Sequence, residues 1–190
     1  QRRTRKGLPL VSLVGYTNSG KSTLLRTLTG KKNITVADKY FATLDTRIGK
    51  LFLPTVQQVV LAADTIGFIE NLPPVLVSSF LATLEEVQNA DLLLHVIDAA
   101  DPHFEKKFHV VNDILGKLNC SDKPQILVLN KIDTCSKETL QKVCEKMSAL
   151  DSQKIVTISA IKEDGITTLK KEIAGQIFPQ RQEQKAPFAA

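Results

Sequence analysis

Residues 15–22 read Gly-Tyr-Thr-Asn-Ser-Gly-Lys-Ser, which is the spacing G-x-x-x-x-G-K-[ST] of a phosphate-holding loop. Glycines at both ends let the backbone wrap tightly, with N–H groups pointing inward at phosphate oxygens. Lys21 stands where it can bridge the β- and γ-phosphates, and the Ser22 hydroxyl where it can coordinate Mg²⁺. "PLVSL" before the loop reads as a buried strand and "LLRTLTG" after it as a helix, whose positive N-terminus also favours an anion. A chance match in a chain this long is on the order of one percent, so the pattern outweighs a bare glycine-rich turn. The residues assigned to nucleotide contact here are Asn18, Ser19, Gly20, Lys21, Ser22 and Thr23.

The loop does not name the base. "NKID", residues 130–133, does so far better. A carboxylate at Asp133 can accept from guanine N1–H and N2–H₂. Adenine lacks those donors, and an unpaired carboxylate makes its rejection costly. Asn130 is placed to tie the loops together, and Lys131 to lay its stem along the base plane. "ADTIGF", 63–68, supplies Asp64 to reach Mg²⁺ through a water and the Gly67 N–H to bond the γ-phosphate. "ISA", 158–160, brings Ser159 and Ala160, whose N–H can meet guanine O6.

These motifs need elements to hold them. "LPLVSLV" (8–14), "RIGKLFLP" (47–54), "VQQVVLAA" (56–63), "DLLLHVID" (91–98), "PQILVLN" (124–130) and "KIVTISA" (154–160) read as six strands. Near-continuous apolar runs such as 91–98 suit strands covered on both faces. Only Pro54 and Thr55 separate the second and third runs, which predicts an antiparallel hairpin. Helices are expected over 22–29 with Gly30 as its stop, over 77–90, over 136–150 with Ser136 as its cap, and over 165–178. The third of these carries Leu140, Val143, Cys144, Met147 and Leu150 on one face. "DPHFEKK" reads as an exposed loop and helix start. The alternation predicts an α/β fold: a mostly parallel six-stranded sheet with one antiparallel strand and helices on both faces. Ligands of such sheets bind at the carboxyl ends of the strands, and all four motifs follow strand ends.

Composition agrees with one domain. The chain has 190 residues, 43% of them apolar, and a formal charge of +5. No stretch approaches the ~20 apolar residues of a membrane span, and a cytoplasmic location is expected. The three cysteines, Cys120, Cys135 and Cys144, show no metal-like spacing and read as buried or idle thiols. His95, His103 and His109 form no metal set either; His95, inside an apolar strand, reads as a packed residue. Residues 1–7 look like the end of a basic linker, 8–178 like one catalytic domain, and 179–190 like a flexible tail. With no initiator Met, the sequence reads as part of something longer. Arg2, Arg3, Arg5 and Lys6 suit either a solvated tail or an anionic partner such as RNA.

The order P-loop, DxxG, NKxD, SA resembles the Ras-like GTPase domain. That resemblance implies a threonine between the first helix and second strand, completing the Mg²⁺ shell and gripping the γ-phosphate. "YFATLDTR" offers Thr43 and Thr46. More closely, "VGYTNSGKSTLL", "VADKYFATLD", "DTIGFIENLPPVLVSSFLATLEE" and "ADLLLHVIDAADP" resemble the GTPase domain of the HflX family of ribosome-associated GTPases. Alignment of "FATLD" with that family assigns the switch role to Thr43; Thr46 is the alternative, because "TRIGK" follows directly where the family has a longer polar stretch. The resemblance implies GTP hydrolysis to GDP, with Lys21, Thr43 and Gly67 as the catalytic set and Ser22, Thr43 and Asp64 about Mg²⁺. It also implies a whole protein that binds the large ribosomal subunit and helps split or rescue stalled ribosomes.

Two positions bear on rate. In Ras a glutamine follows the DxxG glycine and orients the attacking water; here Phe68 stands there, and slow intrinsic hydrolysis raised by the ribosome is expected. Asn18 either shapes the loop or, as in several related GTPases, holds K⁺ beside the phosphates. Two rival readings remain: a nucleotide-gated binding or ribosome-assembly module with negligible hydrolysis, and a P-loop kinase or ATPase, which leaves Asp133 without a role.

Overall fold

A computed structural model describes residues 7–30, 47–65, 67–68 and 86–179. Thr43, Thr46, the basic residues 2–6, most of the helix expected over 77–90, and the tail from 180 lie outside them; of that helix, 86–88 is helical.

Six strands form one sheet: β1 (Leu10–Val14), β2 (Arg47–Leu53), β3 (Gln58–Asp64), β4 (Leu92–Asp98), β5 (Gln125–Asn130) and β6 (Lys154–Thr157). Their spatial order is β2-β3-β1-β4-β5-β6. Every pairing is parallel except β2 with β3. Among the described residues, four longer helices accompany them: α1 (Lys21–Thr29), α2 (Phe104–Lys117), α3 (Lys137–Leu150) and α4 (Ile166–Ile177).

Side-chain parity explains why the central strands are apolar on both faces, with few polar residues. Successive strand residues point to opposite faces. In β4, Leu92, Leu94 and Val96 join the cluster under α1 and α4. Leu93 and Ile97 point the other way, into the clusters that include Val111 and Phe108 of α2 and Val143 and Met147 of α3. Each such buried side chain contributes about 1.5–3 kcal/mol. Edge strand β2 is covered on one face only, so it alternates, with Leu51 and Leu53 buried while Lys50 and Phe52 are exposed.

Four details depart from the sequence reading. The β2–β3 turn uses residues 54–57 rather than two, with Gln57 in the left-handed region at φ 50°. Residues 104–117 make a full helix, whose Phe104, Phe108, Val111 and Leu115 are buried at helical spacing. Leu150, the last residue of α3, is 41% exposed rather than buried with Val143 and Met147. The ladder of β6 stops at Thr157, and Ser159 instead bridges Asp164 across a tight loop. Ser136 does cap α3, its hydroxyl accepting from Thr139 N–H at 3.1 Å.

Candidate functional site

The phosphate-type loop leaves the carboxyl end of β1 and enters α1 through Gly20, whose φ of 94° is open chiefly to glycine. A Cβ there would also fall 2.3 Å from Asn130 Nδ2. The loop is braced by 67–68: Phe68 N–H donates to Gly15 O at 3.1 Å and Thr17 N–H to Phe68 O at 3.0 Å. Gly67 is glycine for a steric reason, since a Cβ would lie 2.8 Å from Thr17 Cα and 3.1 Å from Lys21 Nζ.

Lys21 is buried, and its ammonium donates to Gly15 O at 3.1 Å and Tyr16 O at 3.0 Å. Burial lowers its pKa to about 8, with the nearby Asp64 carboxylate pulling the other way. The ammonium is therefore held by neutral carbonyls that a phosphate can outcompete. Ser22 Oγ donates to Asp64 Oδ2 at 2.5 Å. A hydroxyl and a carboxylate adjacent at a strand end are hard oxygen donors of the sort Mg²⁺ takes, so the pair fits that ion. Asn18 is exposed, in the left-handed region at φ 64°.

At the base end, Asn130 is buried and joins three loops. Its Nδ2 donates to Ser19 O at 2.9 Å and its Oδ1 accepts from Ala160 N–H at 3.0 Å. Ser159 Oγ donates to Asp133 Oδ1 at 2.6 Å and accepts from Lys162 N–H at 3.1 Å. Asp133 itself is exposed, so its carboxylate is oriented from behind and open in front. Of the assigned residues, the structure brings together Ser19, Gly20, Lys21, Ser22, Asp64, Gly67, Asn130, Lys131, Asp133, Ser159 and Ala160. Thr23 lies in the first turn of α1. Ala160 N–H is engaged by Asn130 rather than left open.

Sequence reasoning missed three participants. Thr65, buried, donates through Oγ1 to Leu13 O at 2.7 Å and locks the start of the DxxG turn to β1. Tyr16 bridges Phe68 and lies under Lys107 Nζ, 5.0 Å from the ring centroid. Asp98, the last residue of β4, ion-pairs Lys131 at 2.7 Å. Its signal was its place: every other parallel strand end carried a motif. His95 is buried, its ring stacked on Phe108 at 5.2 Å, and burial together with Lys21 lowers its pKa to about 3. It is a neutral packed side chain. Phe68 is fully buried among Val14, Val87, Leu93 and Val111. Among the described residues no cluster of His, Cys, Asp and Glu could hold a metal by itself, and no helix is long and apolar enough to cross a membrane.

Residues 10–131 match the family model described as 50S ribosome-binding GTPase. The chain belongs to that family. Curated relatives named GTPase HflX include those of Caldanaerobacter subterraneus subsp. tengcongensis, 53% identical over 133 residues covering 70% of this chain and 31% of its own length, and of Treponema denticola, 41% identical over 183 residues covering 94% and 45%. The match is to an HflX-type GTPase domain, and the chain spans less than half the length of these relatives. Among solved structures, Aquifex aeolicus Era bound to GDP and AlF4⁻ is 29% identical, with a TM-score of 0.73, over 87% of this chain and 56% of that one. A complex of SsGBP with GDP is 26% identical, with a TM-score of 0.69, over 97% and 53%. The Ras-like fold expected from the motif order is thus the fold observed, and GTP binding and hydrolysis are the general property of the family.

Proposed function

We propose that residues 8–178 form a GTPase domain that binds GTP, hydrolyses it to GDP and phosphate, and uses the difference as a conformational switch. The observation that carries this reading is Asn130: one amide fastens the phosphate loop at Ser19 and the last loop at Ala160, beside an Asp133 aimed by Ser159. Phosphate cradle and base reader are thereby one rigid unit. The GDP held by the SsGBP and Era relatives supports the same assignment.

In this reading the loop amides and Lys21 receive the phosphates, the ammonium exchanging the Gly15 and Tyr16 carbonyls for phosphate oxygens. Asp133 accepts from guanine N1–H and N2–H₂, and Lys131 covers the base plane. Gly67 N–H meets the γ-phosphate, and the same role is assigned to Thr43, or Thr46 in its place, both outside the described residues. Ser22, the switch threonine and, through a water, Asp64 would hold Mg²⁺, which would offset charge on the phosphate oxygens. Asn18, exposed beside the phosphate end, serves K⁺ in the stronger form of the proposal and loop shape in the weaker one. Identical turnover in KCl and NaCl decides for the weaker.

Hydrolysis is slow in isolation. Phe68, buried to 0% exposure, cannot orient a water as the Ras glutamine does. The whole protein acts in the cytoplasm on the large ribosomal subunit, as a splitting or rescue factor, and the subunit supplies or orders the missing catalytic group. Single-turnover hydrolysis with and without purified large subunits tests this. Stimulation is expected; equal, negligible rates favour the nucleotide-gated binding module.

A further inference from the structure

We infer that Asp98 is a positioning residue for the nucleotide base, acting through Lys131. The inference rests on the nucleotide reading above and names a residue that none of the four motifs contains. Asp98 ends β4 directly opposite Asn130 of β5, and Ala99 N–H donates to Asn130 O at 2.9 Å. This places the carboxylate one step across the sheet from Lys131. Its two oxygens divide their work: Oδ1 accepts from Ala100 N–H at 3.0 Å, closing the local turn, and Oδ2 takes the Lys131 ammonium at 2.7 Å.

Lys131 is thus fixed along its length. Its backbone sits in the left-handed region at φ 66°. Its carbonyl accepts from Thr134 Oγ1 at 2.8 Å. Its Cε passes 4.0 Å from where a Cβ on Gly20 would be, and its Nζ is anchored on Asp98. A lysine stem is among the most costly side chains to order. One whose Cε lies beside Gly20 and whose Nζ is anchored on Asp98 gives the base a prepared surface, so less ordering remains to be done on binding. The pair is partly exposed, 33% for the lysine and 21% for the aspartate, so its effect is modest and screened by salt.

Asp98→Asn isolates the ion pair, because Oδ1 and the turn it closes are kept while the charge is removed. GDP release is read by stopped-flow with a fluorescent GDP analogue, for wild type, D98N, D98E, K131M and the D98N/K131M double variant, with circular dichroism confirming each fold. Release about fivefold faster in D98N is expected, with recovery in D98E, a smaller difference from wild type at 1 M salt, and no added effect on the K131M background. Wild-type release from D98N, or a full additional effect in the double variant, overturns the inference alone. A wild-type protein that holds no GDP overturns the nucleotide reading and this inference with it.

Discussion

The two ends of the site are built differently. At the Asn-Lys-Ile-Asp end, polar side chains and amides hold one another: Asn130 with Ala160, Ser159 with Asp133, and Asp98 with Lys131. At the phosphate-loop end, the Lys21 ammonium donates to backbone carbonyls and the Ser22 hydroxyl to Asp64. The first arrangement suits recognition, which gains from groups fixed in advance. The second leaves Lys21 and Ser22 on partners that phosphate and Mg²⁺ would replace under the proposed function.

Breaking the phosphate end should have the largest effect. Lys21→Met removes a buried cation from the anion's path, and GTP affinity is expected to fall about a hundredfold or more by calorimetry. Base discrimination, measured as GDP against ADP, should survive in whatever binding remains. Asp133→Asn attacks the other end: guanosine affinity is expected to drop about a hundredfold while xanthosine nucleotides gain, and full GTP affinity in that variant would show the base assignment to be wrong. Gly67→Ala sharpens the contrast. Its methyl meets Thr17 Cα and crowds Lys21 Nζ, so hydrolysis should fall about tenfold or more, while GDP affinity changes by only about twofold.

The smallest effect concerns stability. His95 has its pKa lowered to about 3 by burial, then by Lys21. Between pH 6.5 and 3 the unfolded chain therefore binds a proton that the folded one refuses, so its contribution is complete above about pH 6.5 and is lost as pH falls toward 3. His95→Phe, which keeps the stack on Phe108, should flatten the acid limb of the melting curve relative to wild type. An unchanged limb would place the acid sensitivity elsewhere.

Much of this fold was legible because burial writes itself into sequence. Strands β1, β4 and β5 are covered on both faces, so they read as nearly continuous apolar runs, and α3 carries its cap at Ser136. Helix α2 was harder: its buried residues 104, 108, 111 and 115 are diluted by exposed polar neighbours, and only packing against the sheet reveals their face. The β2–β3 turn was misjudged for a related cause, since Gln57 adopts a backbone conformation that its residue type does not announce.

For the site, the residue types and their order are what the proposed chemistry rests on: a glycine loop with lysine and serine suits phosphate, and an aspartate after Asn-Lys suits one base edge. Such motifs are local, and local spacing is a property of the chain. What the sequence could not state is who holds whom. That Asn130 reaches Ser19, that Gly67 must be bare because Thr17 lies against it, and that Asp98 steadies Lys131 are contacts between residues far apart in the chain. They exist only once parallel pairing brings several strand ends to the same edge of the sheet.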